Sequence, residues 1–292
     1  MSKIAYVNGT YLPQRAAAVN IEDRGYQFGD AIYEVVHLHG GRFVDEDRHL
    51  ERLERSLKQI HLPMPMPRAA LRLVLHEVAR RNRLSEGLLY MQVSRGVAKR
   101  DHAFPNKPVQ PALVVTIRRV APYPTDPDRW AIGCITAPDL RWARRDIKST
   151  NLLPNVLARQ AAREAGAEEA ILFDPATRMV NEGAATTIWI VDAEGVLRTR
   201  HLDPVILPGC TRGALIGELE AAGIAYREEG FSLDELAAAR ECFLTSATSF
   251  VKPITAVDGR PVGDGAVGPM TRRLFALFAA HVHRAAGNAA AA

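Results

Sequence analysis

Two short apolar runs, "KIAYV" and "TYLP", stand either side of Asn8-Gly9 at the start of the chain. That dipeptide suits the positive φ angles of a two-residue turn, so the pattern predicts an opening β-hairpin. "AIYEVVHLH", Gly40-Gly41 and "RFV" repeat it as a second hairpin. The period then changes. In "DEDRHLERLERSLKQI", Leu50, Leu53, Leu57 and Ile60 recur at helical intervals behind an acidic start, which predicts an amphipathic helix, and "RAALRLVLHEVARRN" predicts another. "GLLYMQVSRG" and "PALVVTIRRV" read as strands. Two helices among hairpins imply an α+β first domain over residues 1–120.

Residues 121–128, "APYPTDPD", carry three prolines and no apolar period, which predicts a linker. The second domain is expected over 129–292. It begins with a strand at "WAIGCITA" and a helix over "PNVLARQAAREAG", followed by strands at "EAILFD" and "TTIWIVD". A helix from about Thr211, strand and loop through "ECFLTSATSFVKPITAVDG", a last helix and a frayed alanine tail complete it. No internal repeat is visible.

With 292 residues, 47% of them hydrophobic and 24% charged, the chain can bury a sizeable core as a soluble globular protein. Its net charge of +4 spreads 37 Lys and Arg among 33 Asp and Glu with no basic stripe, so a nucleic-acid partner is not expected. No apolar run approaches the ~18 residues of a membrane helix and "MSKIAYVNGTYLP" has no secretory core, so neither a membrane nor export is expected and the cytoplasm is the expected location. Three widely spaced cysteines and nine histidines without ligand spacing leave no metal site to expect. "GDGAVG" at 263–268 matches a dinucleotide fingerprint literally, but no further strand or acidic residue follows it, so it reads as a glycine-rich loop.

Four residue groups suggest chemistry of one kind. Lys148, in "RRDIKSTNLLPN", follows Ile147 and can be desolvated enough to keep its amine neutral, as imine chemistry requires. Glu182, in "NEGAATTIWIV", precedes four small residues at the mouth of a strand, where a planar ligand can approach and a carboxylate can hold a heterocyclic nitrogen protonated. Gly209 and Thr211 open a helix whose free N–H groups suit a phosphate, and Arg52 can reach inward to one. Taken singly these are an ordinary surface lysine, a strand-end acid, a helix cap and an exposed arginine. Together they describe a pyridoxal phosphate site.

Five separated stretches, "EDRGYQFGDAIYEVV", "HLERL", "IKSTNLLPNVLARQAA", "NEGAATTIWIV" and "LPGCTR", together resemble the class IV pyridoxal phosphate aminotransferases over nearly the whole chain. The resemblance implies a two-domain α+β fold of type IV with the cofactor between the domains, and a homodimer as the active unit. It makes Lys148 the Schiff-base lysine and proton carrier, pairs Glu182 with the pyridine nitrogen, and gives the phosphate to Arg52, Cys210 and Thr211. Where relatives often carry a phosphate-binding threonine this chain has Ala247, so either a neighbour, Ser246 or Thr248, substitutes for it or the phosphate is held with one bond fewer; Phe250 stands where an acid is usual. "RGVAKRDHAFP" is similar to the D-amino acid branch, in which Arg100 and His102, with Tyr33, would trap a substrate carboxylate, the loop reaching across from the partner subunit. At a spacing of two, an extended chain would point both side chains the same way. The substrates implied are a D-amino acid such as D-alanine and a 2-oxo acid such as 2-oxoglutarate or pyruvate. A branched-chain L-amino acid aminotransferase and an aminodeoxychorismate lyase share the lysine and glutamate and are the alternatives. A catalytically silent basic binding protein is the reading from another class.

Overall fold

The computed structural model describes residues 3–287; most of the alanine tail expected to fray lies outside them. The chain forms two compact units. Of the described residues, one holds 3–122 together with Ile147–Asn151 and 283–287; the other holds Tyr123–Asp146 and Leu152–Val282.

The first unit contains β1 (Ile4–Val7), β2 (Thr10–Pro13), α1 (Arg24–Phe28), β3 (Ala31–His39), β4 (Arg42–Phe43), α2 (Glu46–Gln59), α3 (Arg68–Asn82), β5 (Gly87–Ser94) and β6 (Ala112–Arg118). Its six strands make one antiparallel sheet in the order β2-β1-β6-β5-β3-β4. The opening hairpin turns on Asn8 and Gly9, at φ 47° and 97°, the left-handed values that this dipeptide tolerates. The period-2 alternation of β3 points Ile32, Val36 and Leu38 into the core, where α2 meets them with Leu50, Leu53 and Leu57. Removing each such side chain from water contributes about 1.5–3 kcal/mol. The same alternation puts Glu34 on the core face and Tyr33 on the other.

The second unit contains α4 (Pro127–Trp130), β7 (Ile132–Pro138), α5 (Leu153–Glu164), β8 (Glu169–Phe173), β9 (Val180–Gly183), β10 (Thr187–Val191) and β11 (Leu197–Thr199). It continues through α6 (Cys210–Ala221), β12 (Tyr226–Glu228), α7 (Leu233–Ala237), β13 (Glu241–Ser246), β14 (Phe250–Val257), β15 (Arg260–Pro261) and α8 (Pro269–Gly287). Its strands form one mixed sheet in the order β12-β11-β10-β13-β14-β7-β8-β9, with β15 on β14. Phe250 enters β14 at φ 51°, a conformation costly for a bulky residue. It is held there, buried, between Tyr123 and Phe278 at ring distances of 5.1 and 5.4 Å.

The first unit ends at Pro122, inside the segment read as a linker, and beyond that point Tyr123 stacks on Phe275 at 4.9 Å and donates its hydroxyl to the Val251 carbonyl at 2.9 Å. One expectation changes. Lys148 was expected on the second domain, but residues 147–151 fold into the first unit. Tyr33 N–H donates to the Lys148 carbonyl at 3.1 Å, Thr150 N–H to that of Ala31 at 3.1 Å, and Ile147 is buried in the first core.

Candidate functional site

In the first unit, β3 holds chemistry on both faces. On the face away from α2, Tyr33 stacks on Tyr90 at 5.7 Å, and the Lys148 Nζ lies 4.3 Å from the centre of the Tyr33 ring. Tyr33 pairs with Gln92 across the strands, so Tyr90 is its diagonal neighbour, the separation at which two aromatic rings reach each other. Burial, then the neighbouring Tyr33, pushes the Tyr90 phenol up to about 12, so it stays protonated and donates to Gln92 Oε1 at 2.7 Å. Lys148 is half-buried, and its own N–H faces Ser56 Oγ at 3.4 Å. The bridge of Ser149 to Ile32 fixes the lysine's place along β3.

On the core face, Arg52 of α2 points inward as its neighbours Leu50 and Leu53 do. Its Nε and one Nη donate to the two oxygens of Glu34 at 2.7 and 2.8 Å, and His49 Nδ1 lies 2.7 Å from the same carboxylate. Burial alone would raise the Glu34 carboxyl, but the Arg52 charge and hydrogen bonds and then His49 hold it at about 2.

Arg100 and His102 are exposed, in an irregular loop rather than the extended strand their spacing suggested. They still converge, since Arg100 lies over the Phe28 ring at 5.1 Å and the His102 ring stands 5.5 Å from it. Phe28, at the end of α1, is the link the sequence did not show.

In the second unit, Glu182 on β9 is buried and accepts from Arg141 Nη1 at 2.6 Å and from the Leu207 N–H at 3.1 Å. Arg141 also grips Asp139 through two nitrogens at 2.9 and 2.8 Å, and Asn181 donates to Asp139 at 3.0 Å. Burial pushes the Glu182 carboxyl above its ordinary value against the pull of Arg141. For Asp139 burial acts the same way, but Arg141, Asn181 and Arg145 outweigh it and hold that carboxyl down. Arg141 and Asp139 are not legible in the sequence, because "DLRW" has no spacing that marks a partner for an acid 41 residues on.

Gly209 is the N-cap of α6 and provides no side-chain cap, so the first turn, with buried Cys210 and Thr211, keeps its N–H groups for another acceptor. A Cβ on Gly209 would stand 3.0 Å from Thr187 Oγ1 and 3.3 Å from the Arg212 Cβ, a tight fit that would make these neighbours give way. Thr186 Oγ1, pressed against Gly183 where a Cβ would be, is buried without a hydrogen-bond partner. Ser246 and Thr248 join their hydroxyls at 3.0 Å around Ala247, and Ser246 Oγ accepts from the Ser249 N–H. Among the described residues, no cluster of His, Cys, Asp or Glu is suited to a metal ion.

Residues 31–257 match the family model for amino-transferase class IV. The chain is 39% identical over 286 residues to the D-alanine aminotransferase of Listeria monocytogenes serotype 1/2a, covering 97% of each chain. Its fold superimposes on the branched-chain amino acid aminotransferase of Escherichia coli with a TM-score of 0.86, covering 96% of this chain and 94% of that one at 23% identity. A hypothetical aminotransferase from Mycobacterium tuberculosis, in its PLP-bound form, gives a TM-score of 0.81 at 21% identity, over 96% and 98% of the two chains. At those identities the two structures speak for the fold alone, which is that of the fold type IV aminotransferases.

Proposed function

The chain belongs to the class IV aminotransferases, and from that premise we propose that it is a D-alanine aminotransferase, moving the amino group of a D-amino acid to a 2-oxo acid such as 2-oxoglutarate or pyruvate. The observation that carries this reading is its full-length similarity to relatives of that name. The residues fit pyridoxal phosphate. A buried carboxylate fixed by Arg141 suits its ring nitrogen, the helix start behind Gly209, with no side-chain cap, suits its phosphate, and Thr186 has a hydroxyl to offer.

When bound, the cofactor supplies an aldehyde that links to amines and a ring that takes up the electron pair left at the substrate's α-carbon. Lys148 would be the amine to which that aldehyde links, and its free amine would move the proton at the substrate's α-carbon. Glu182 keeps a proton at the ring nitrogen, and the Arg141 and Leu207 contacts stop its carboxylate from turning away. Arg52 with Cys210 and Thr211 holds the phosphate, Ser246 and Thr248 standing in for the threonine that Ala247 replaces. Arg100 and His102, with Tyr33, hold the substrate carboxylate. With the carboxylate gripped there, a D-amino acid is the enantiomer expected to offer its α-hydrogen to Lys148.

We assign the enzyme to the cytoplasm as a homodimer. On α5, Leu153, Val156 and Leu157 are 68%, 57% and 62% exposed at positions that share one helix face, an apolar surface for a second copy to cover. No helix among the described residues is long and apolar enough to cross a membrane.

The test is turnover by cofactor-loaded protein with D-alanine or L-leucine as donor and 2-oxoglutarate as acceptor. Pyruvate from D-alanine with little use of L-leucine is expected, as is loss of turnover by at least about 1,000-fold in Lys148→Ala. Preference for L-leucine would make it a branched-chain enzyme, and a lysine variant of undiminished rate would remove the assignment of Lys148.

A further inference from the structure

Two buried arginines in the first unit share one acid and both reach the loop that carries Arg100 and His102. Arg24, 3% exposed, donates from Nε to Asp30 Oδ2 at 2.8 Å, and Arg95, 6% exposed, donates to both Asp30 oxygens at 2.7 and 3.0 Å. The far end of Arg24 is turned to the loop's backbone. Its Nη1 donates to the Asp101 carbonyl at 2.6 Å and the Ala103 carbonyl at 3.3 Å, and its Nη2 to that of His102 at 3.5 Å. Its guanidinium also covers the Phe28 ring at 4.7 Å, the ring on which Arg100 and His102 converge. Arg95 lies 3.7 Å from the centre of the Phe104 ring while holding the carbonyls of Ile60 and His61 at 2.7 and 3.2 Å.

The root of the loop is fixed as well. Asp23 bridges Val97, Arg24 N–H donates to the Gly96 carbonyl at 2.9 Å, and Ala98 N–H donates to that of Glu22. The loop itself is exposed and irregular, with no strand partner from 98 to 105, so these contacts are what give it a defined shape. Buried guanidiniums that satisfy carbonyls are fixed by geometry, and a single carboxylate between two of them holds both in register.

We infer that Arg24, Asp30 and Arg95 form a clamp that positions the Arg100–His102 loop for the substrate carboxylate, Arg24 acting on the backbone and Arg95 on Phe104. This rests on the reading of Arg100 and His102 as the carboxylate trap. Arg24, Asp30 and Arg95 touch no substrate; they are positioning residues.

The test uses Arg24→Lys, which keeps the charge beside Asp30 but loses the fork, and Phe104→Ala, which removes a half-exposed ring that the core does not need. Trypsin can read the loop directly through exposed Lys99 and Arg100. Both variants of the cofactor-loaded enzyme are expected to be nicked there about tenfold faster or more, with the cofactor's absorbance spectrum unchanged. KM for D-alanine should rise roughly tenfold while kcat stays within about threefold. Nicking at the native rate in both variants overturns the clamp, as does a loosened loop with an unchanged KM where Arg100→Leu itself raises KM. Arg100→Leu separates the two claims, because an unchanged KM there rejects the carboxylate trap itself, and the nicking rates then decide the clamp alone.

Discussion

Glu34 is a carboxylate on the core face of a strand, among leucines, and it is tolerable there because α2 brings Arg52 and His49 to it. Its carboxyl is held at about 2 against an ordinary 4.5, so the folded protein binds this proton less tightly than the unfolded chain does. The stabilisation is therefore complete above about pH 4.5 and is lost as pH falls toward 2, in total about 3 kcal/mol. Glu34→Gln removes one partner of a buried pair and is expected to cost roughly 3–5 kcal/mol at pH 7, while flattening the fall in stability on the acid side. Denaturant unfolding between pH 7 and 3 checks both; an unaltered acid limb would contradict the network. Single residues were unevenly legible in the sequence. Arg52 beside Leu50 and Leu53 suggested an inward arginine, but its acid lies 18 residues away on another element and no local spacing announces it. Arg141 was hidden for the same reason, its partner being set by sheet pairing.

At the scale of elements, those with a sustained period were legible and the short ones were not. α2, α3 and the opening hairpins follow directly from alternation and helical spacing, because one face of each is buried. α1 and α7, with five residues each, and the three-residue β11 and β12 are too short to show a period, and neighbours hold them. α1 depends on close approach: a Cβ on Gly25 would stand 2.7 Å from that of Ser94. Gly96, at φ 91°, turns the chain where a Cβ would strike the Gln110 carbonyl. Gly96→Ala is expected to lose at least about 2 kcal/mol and several degrees in Tm, whereas Gly133→Ala, in open space, should change little. Equal melting shifts would contradict this packing. At the start of α6, Thr211→Val should weaken pyridoxal phosphate binding about tenfold in an absorbance titration while Tm of the cofactor-free protein holds; unchanged affinity would remove Thr211 from the phosphate site.

For the whole molecule, the sequence suggested two domains in chain order, whereas the chain returns at 147–151 to pair with β3. The hydrogen bonds of Tyr33 and Thr150, the Ser149–Ile32 bridge and buried Ile147 make that return, which "IKSTN", with no period of its own, does not announce. The exposed apolar face of α5 makes the assembly testable: Val156→Glu with Leu157→Glu should shift the protein from dimer to monomer in analytical ultracentrifugation and abolish activity. A variant that remains dimeric and active would place the interface elsewhere. The hand of the substrate is decided by a half-reaction with the two enantiomers of alanine. Each is mixed with enzyme in the aldehyde form of the cofactor, without any 2-oxo acid, and conversion to the amine form is followed by absorbance. Rapid conversion with one equivalent of pyruvate is expected from D-alanine, and conversion at least about 100-fold slower from L-alanine. Faster conversion with L-alanine would contradict the roles given to Arg100 and His102 while leaving Lys148 and Glu182 as assigned.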